Sequence, residues 1–489
     1  MSHTPSNPGV QEARKTFFGH PRMLANLFSV ELWERFSFYG MQGILLYYMY
    51  YSVTDGGLGI DIAVATSLVG AYGGGVYLST ILAAWLADRV LGSERVLFYS
   101  AAVVMLGHIA LAVLPGTPGL AAGLIMIALG SGGVKANATS LVGTLYAEKD
   151  ERRDAGFSIF YMGINLGALV GPLLTGLAQV ELGFHYGFGL AAVGMAIGLV
   201  QYGMTRKYLP ETAHEVANPL PKQQYLKVGI YAAAAVVVIV LAVVFGILSA
   251  GNLAVVMAVV AILAAVAYFV IILGSKKVNK LERRRVYSFM PLFIASAAFW
   301  ALFQQQFTVV ALYADTSLNR TIFGWTMPPS WVQSINPIFI IIFAAVFAAV
   351  WTKLGDRQPS SPLKFALGLA VMGLAFLAFI PFSGGGANST PLLALVGILL
   401  LFTFAELFIS PIGLSVATKL APEVFRTQMV ALFFLSVSLG TTLAGWLAQF
   451  YNPETEVSYF LFSGGTAIVL GIALAAATPA IKKLMSGVR

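Results

Sequence analysis

The chain has 489 residues, 58% of them apolar and only 10% charged, with a mean hydropathy of +0.82; that apolar share exceeds an ordinary soluble domain's and reads as an integral membrane protein. It contains no cysteine, which excludes disulfides, iron–sulfur clusters, cysteine-held metals and thiol catalysis, and its five histidines, His3, His20, His108, His185 and His214, are too scattered for a ligand motif. The net charge of +8 would suit an anionic partner only if the basic residues shared one soluble surface, and their distribution says otherwise.

A polar N-terminus precedes the first apolar run, which argues against a cleaved signal peptide and for direct insertion of the first span. Fourteen apolar segments of about 20 residues or more, the length that crosses the hydrocarbon layer, begin near residues 24, 61, 95, 118, 155, 185, 226, 252, 286, 330, 363, 391, 427 and 457. With the N-terminus placed in the cytoplasm, all of the 29 Lys and Arg except Arg35, Lys135 and Arg320 fall in the termini or in alternate loops on that same side. Arg14, Lys15, Lys149 and Arg489 belong to this set. The asymmetry is the positive-inside pattern, so the basic excess sets topology, both termini are expected in the cytoplasm, and nucleic-acid binding is not its purpose.

The first span carries Glu31, Glu34 and Arg35 followed by Phe38, Tyr39, Gly40 and Gln42. Ionisable groups at membrane depth cost roughly 2.5–3.5 kcal/mol each and persist mainly where they face a partner or a watery cavity. Positions 31, 34, 35, 38, 39 and 42 share one helical stripe. The stripe reads as the polar wall of a path; the bland alternative, a Glu34–Arg35 packing bridge, leaves one carboxylate unpaired.

The second span ends in Trp85, Asp88 and Arg89. His108, in the third, reads as a packing residue with a satisfied ring. The fourth holds Lys135 after a glycine-rich stretch, but the phosphate-loop spacing is missing and no strand precedes it, so no nucleotide site is expected. Lys135 must snorkel, pair with an acid or face water. In the fifth span, Gly163, Gly167 and Gly171 lie on one face and favour close helix approach, while Asn165 either bonds across helices or presents itself to a solute. A polar stretch from Arg206 to Lys227 then leads into two Ala- and Val-rich segments, apolar all round, which read as lipid-facing and peripheral to any path.

The second half offers Trp300 with Gln304, Gln305 and Gln306, then Trp331, Gln333, Ser334, Asn336 and Pro337, and finally Glu406 with Ser410 and Pro411. Glu406 is the acid deep in this half, so it is the natural counter-charge to Arg35 and Lys135 across a cavity, with helix packing as its alternative role. Trp351, Asp356 and Arg357 echo Trp85, Asp88 and Arg89, and Glu423 and Arg426 echo Glu148 and Arg152. Such repeated halves with a midplane site are how many secondary transporters are built.

Together these motifs resemble the proton-dependent oligopeptide transporter family of the major facilitator superfamily, in its bacterial form. Glu31-x-x-Glu34-Arg35 with Tyr39-Gly40 is similar to the family's first-helix signature, the Phe160–Leu169 stretch to its fifth, and the Trp331 and Glu406 motifs to those of its eighth and tenth core helices; Asp88-Arg89 and Gly92 match the superfamily's loop motif. The resemblance implies an all-α membrane protein of two six-helix bundles plus a two-helix central insert. It also implies a proton-coupled symporter of di- and tripeptides working by alternating access. Glu406 would hold a peptide's amino terminus, with Asn165 and Asn336 adding amide contacts; Arg35 and Lys135 would face its carboxylate; and Tyr39, Tyr77, Trp300, Gln304, Ser410 and Phe433 would complete the pocket. Glu31, Glu34, Arg35 and Lys135 would handle the proton.

The chain departs from the family pattern at Gln42 and Gln304, where an Arg and an acid are usual and commonly pair, and at Phe38 and Phe433, which replace a common Tyr and Trp. Losing both charges together suggests a neutral Gln42–Gln304 gate. The expected domains are a cytoplasmic tail (1–23), a first bundle (24–206), a linker with two extra helices (207–280), a second bundle (281–484) and a short tail (485–489). The expected partners are small peptides, protons and the lipid of the inner membrane, with a monomer as the assembly and no cofactor or metal. The rival within transport is a carrier of nitrate or another small zwitterion. A membrane hydrolase would need an activated nucleophile or metal ligands at depth, and the sequence has no such cluster; a receptor would need a soluble signalling domain.

Overall fold

The computed structural model describes residues 16–147 and 150–488. Arg14, Lys15, Lys149 and Arg489, Glu148 and residues 1–15 of the N-terminal tail lie outside the described residues. Because lipid offers no hydrogen bonds, each apolar run must satisfy its own backbone, and the chain is accordingly helical almost throughout. The first bundle comprises α1 (Arg22–Tyr50), α2 (Ile62–Leu86, prolonged by a π turn Ala87–Leu91), α3 (Ser93–Val113), α4 (Gly116–Thr144), α5 (Arg153–Leu182) and α6 (Phe184–Thr205). The insert is α7 (Lys222–Val244) and α8 (Leu253–Gly274). The second bundle comprises α9 (Lys280–Phe303) with its short continuation α10 (Val309–Thr316), then α11 (Ile335–Leu354), α12 (Ser361–Leu377), α13 (Leu392–Lys419), α14 (Arg426–Ala448) and α15 (Glu456–Met485). Two small antiparallel hairpins, Thr16–Phe17 with His20–Pro21 and Thr321–Ile322 with Trp325–Thr326, sit in the connections.

Thirteen of the spans are long and apolar enough to cross a membrane on composition alone. The fourteenth is α1, 29 residues long, whose polar stripe dilutes its hydropathy. Successive spans alternate in direction, so Arg22, Lys222, Lys280 and the C-terminal lysines gather at one end, the basic end, and the α1–α2 loop and the α10–α11 connection lie at the far end. Local chemistry sets several starts. Asn279 opens α9 with a reciprocal cap: its side chain accepts from the Glu282 N–H at 2.9 Å, and Glu282 Oε2 accepts from the Asn279 N–H at 3.0 Å.

Two close approaches position the site. The α5 glycines lie against α1, where a Cβ on Gly163 would meet the Phe28 ring at 2.9 Å and one on Gly167 would overlap the Leu32 carbonyl. The close packing expected of this stripe is therefore present. Across the bundles, α2 lies on α14, and a Cβ on Gly70 would come within 2.5 Å of the Gly445 Cα; only two glycines let these backbones touch.

The insert is not uniformly peripheral. Helix α7 buries none of its residues, as its all-round apolarity predicts for a lipid-facing helix. Helix α8, however, buries Ala254, Ala258, Ala261 and Ala265, a stripe at helical spacing, against α2 of the first bundle and α14 of the second. Small side chains let it lie close, a feature that average hydropathy cannot reveal. His108 is fully buried with neither ring nitrogen hydrogen-bonded among the described residues, so its packing role holds but the satisfied ring does not.

Candidate functional site

A cavity of about 270 Å³ lies between the two bundles, slightly below the roughly 300–1,000 Å³ usual for small-molecule sites. It is sized for a small solute. The first bundle contributes Glu31, Arg35, Tyr39, Gln42, Tyr77, Lys135 and Asn165 to its wall; the second contributes Trp300, Gln304, Asn336, Glu406 and Ser410. Of the residues expected to bind peptide, couple the proton or form the gate, Glu34 and Phe433 do not line it. Glu34 is wholly buried behind Arg35, and Phe433 packs its ring over Gly413 and beside Phe434.

On α1, one turn of helix places both carboxylates on the same guanidinium: Arg35 Nε lies 3.0 Å from Glu31 Oε1 and 2.7 Å from Glu34 Oε2. The unpaired carboxylate expected from three charges is thus absent, because the guanidinium serves both. Ser131 on α4 donates to Glu34 Oε1 at 2.7 Å, anchoring that acid from a second helix. Lys135, one turn further along α4, makes no ion pair among the described residues; its ammonium sits 4.1 Å from the centre of the Tyr77 ring, facing the cavity. Its surplus charge is solvated by an aromatic face and by whatever enters the cavity.

Glu406 stands on the opposite wall, on α13. Asn336 donates to Glu406 Oε2 at 3.2 Å and to Thr403 Oγ1 at 3.0 Å, which orients the carboxylate without neutralising it. Asn165 donates to the Tyr161 carbonyl one turn back at 3.0 Å. The cavity therefore presents two cations, Arg35 and Lys135, on one wall and the Glu406 carboxylate on the other. The α9 span breaks at Thr308 (φ −126°, ψ −88°), so Gln304 and Gln306 are presented on a 3₁₀ turn just before the break, as in the discontinuous helices of other carriers.

Gln42 and Gln304 share the cavity wall but make no hydrogen bond to each other among the described residues; the Gln42 side-chain oxygen is buried without a partner, while Gln304 faces Tyr77. The far end is closed by other groups. Tyr50 and Tyr51, at the end of α1, both donate to Asp315 on α10, Tyr51 at 3.0 Å, and Arg320 Nη2 lies 3.3 Å from the same carboxylate. Tyr47 donates to the Ala311 carbonyl at 3.1 Å. Alongside, Trp331 and Ser334 donate to the Leu173 and Leu169 carbonyls of α5 at 2.9 and 2.7 Å, and Ser438 donates to the Gly74 carbonyl at 2.8 Å. The exposed lining residues Thr139 and Tyr161 lie toward the basic end, where the cavity opens.

Sequence reading missed Tyr161, Gln306 and Gln333 as lining residues and the Tyr50–Tyr51–Asp315–Arg320 cluster as a closure. Tyr161 was recoverable, since it lies one turn before Asn165 on the same face. The closure carried a fainter signal: Arg320 is the one loop cation on the wrong side for topology, five residues from Asp315.

Residues 94–463 match the model of the POT family. The di-/tripeptide transporter of Lactococcus lactis subsp. cremoris is 40% identical over 495 residues, covering 98% of this chain and 99% of that protein. Among solved structures, a mutant peptide transporter POT in complex with alafosfalin superposes with a TM-score of 0.92 at 45% identity, covering 99% of this chain and all of that one. A POT family transporter in complex with a thioalcohol-conjugated peptide superposes with a TM-score of 0.90 at 37% identity, covering 96% of this chain and 98% of that one. With the family model matched over 94–463 and its fold shared along nearly the whole length of these carriers, the chain belongs to the POT family of secondary transporters.

Proposed function

We propose that this protein imports di- and tripeptides across the inner membrane together with protons, by alternating access of two six-helix bundles around the central cavity. The observation that carries the reading is the charge layout of that cavity. A zwitterionic peptide presents an ammonium and a carboxylate a few ångströms apart; Glu406 is placed for the first, and Arg35 with Lys135 for the second. The relatives that are named as peptide transporters support the same substrate class. Asn165 and Asn336 supply amide contacts, Tyr39, Tyr77, Trp300, Gln304 and Ser410 shape the pocket, and Phe433 acts from behind it by packing on α13.

Glu31, Glu34, Arg35 and Lys135 are the proton-coupling group. Gln304 carries no proton, so coupling rests on the α1 carboxylates and their balance with Lys135 when peptide arrives. Positive-inside counting supports the basic end, with both termini, as cytoplasmic; the cavity then faces inward. The chain divides into a tail (1–23), first bundle (24–206), insert (207–280), second bundle (281–484) and tail (485–489), and acts as a monomer without cofactor.

Uptake of a radiolabelled dipeptide into proteoliposomes, with and without an inwardly directed proton gradient, tests the reading. Accumulation should require the gradient. Glu406→Gln should reduce uptake by tenfold or more while leaving the folded yield unchanged, since a hydrogen bond to a charged group is worth roughly 1.5–3 kcal/mol. Undiminished uptake by that variant, or equal competition by free and N-acetylated dipeptides, would overturn the charge-clamp assignment.

A further inference from the structure

A second cavity, of about 300 Å³, opens at the basic end inside the second bundle, apart from the inter-bundle site. Its walls are the α11–α12 connection, the start of α12, the last turns of α13 and the end of α15. Three lysines, Lys364, Lys419 and Lys482, line it against one carboxylate, Asp356.

Lys364 is the informative one. It is only 7% exposed, yet it makes no ion pair among the described residues. Its ammonium donates to Gln358 Oε1 at 2.7 Å and lies 4.3 Å from the centre of the Trp351 ring. A buried ammonium with only an amide and an aromatic face as partners carries charge that its surroundings leave largely uncompensated. Lys419, on the facing helix, and Lys482 add to that charge rather than relieve it.

The backbone contributes in the same sense. Helix α12 begins at Ser361, its preceding residue Ser360 makes no side-chain cap, and both serines line the cavity. Pro362 contributes no N–H and the Lys364 N–H is held by the Ser360 carbonyl at 2.9 Å, so the helix start adds the positive end of its dipole and the Ser361 N–H at the cavity wall. Ser415 on α13 offers a further hydroxyl.

We infer that this cavity is a binding site for a phosphate group, either the headgroup of an anionic phospholipid or a free phosphate. Three ammonium groups, serine hydroxyls and the positive end of a helix dipole are what a tetrahedral dianion or phosphodiester recognises, and the site lies at the basic end of the molecule. It also abuts the transport path. Pro411 lines this cavity while its neighbour Ser410 lines the central one, so the two sites share one turn of α13.

The test uses the full-length purified protein and two variants: Lys419→Gln/Lys482→Gln, which removes two exposed lysines of the site, and Lys276→Gln/Lys277→Gln, which removes two exposed lysines elsewhere at the basic end. Native mass spectrometry with phosphatidylglycerol and with phosphatidylcholine measures retained lipid. Thermal unfolding in sodium phosphate against sodium chloride at matched ionic strength measures the free anion. The wild type and the 276/277 variant should bind alike, and the 419/482 variant should bind about tenfold or more weakly. A phosphatidylglycerol adduct without a phosphate effect assigns the site to lipid; a phosphate-dependent rise in melting temperature without a lipid adduct assigns it to the free anion. Equal losses in both variants, or no binding of either probe to the wild type, overturns the proposal.

Discussion

At the residue scale, the function rests on how few charges the interior holds and how they are shared. Arg35 is satisfied twice, by Glu31 and Glu34, and the two acids are not equivalent. Glu31 lines the cavity, whereas Glu34 does not and is anchored from α4 by Ser131; in each the Oε2 atom is buried without a hydrogen-bond partner among the described residues. The first therefore borders the space that a solute enters and the second does not. Glu31→Gln is accordingly expected to abolish gradient-driven accumulation while keeping peptide counterflow. Glu34→Gln should also lower the melting temperature, because removing one partner of a buried pair costs about 3–5 kcal/mol. Driven uptake, counterflow and thermal unfolding of each variant separate the two roles; accumulation by Glu31→Gln equal to wild type would refute the division.

At the element scale, the far end is held by two devices of different kinds. One is polar, the convergence of Tyr50, Tyr51 and Arg320 on Asp315; the other is steric, the Gly70–Gly445 contact of α2 with α14. The first is built from positions other than Gln42 and Gln304, which line the cavity wall without bonding to each other among the described residues. Because the chain has no cysteine, Thr441→Cys in the cavity wall reports far-end opening by its rate of labelling with a membrane-impermeant thiol reagent. Asp315→Asn should raise that rate about tenfold, in line with the loss of a charge-assisted hydrogen bond. Gly70→Leu should raise it and also stop transport, since the added side chain has no room while the bundles are in contact. Labelling at the wild-type rate in both would show that neither contact closes this end.

At the scale of the whole molecule, α8 ties the insert to the transport machinery while α7 does not. The alanine stripe of α8 touches one helix from each bundle, so any change in the angle between α2 and α14 must slide or release it. Ala261→Phe should cost roughly 1–3 kcal/mol by overpacking, read as a lower melting temperature and slower uptake at unchanged peptide affinity. The same substitution at an exposed α7 position, Val237→Phe, should do neither. If the two variants behave alike, α8 is as passive as its partner.

Much of this was legible without coordinates. Membrane class, the number of spans and the positions of the buried charges follow from spacing, because the cost of a charge in hydrocarbon and the length of a span are local quantities set within each segment. The α5 glycine stripe and the cavity-facing positions of α1 are likewise set by helical period. The pairings are another matter. That Arg35 serves two acids, that Glu31 lines the cavity while Glu34 stands behind it, that Phe433 packs behind the pocket, that two glutamines share a wall without bonding, and that Asp315 gathers two tyrosines from the other bundle all depend on how each helix is rotated about its axis and which neighbour it meets. A hydropathy average over α8 records that it is apolar; only the packed structure shows which of its faces meets protein. Sequence determines what each helix can afford to bury, and the tertiary fold decides against what, since contact between helices is a property of pairs that no single segment encodes.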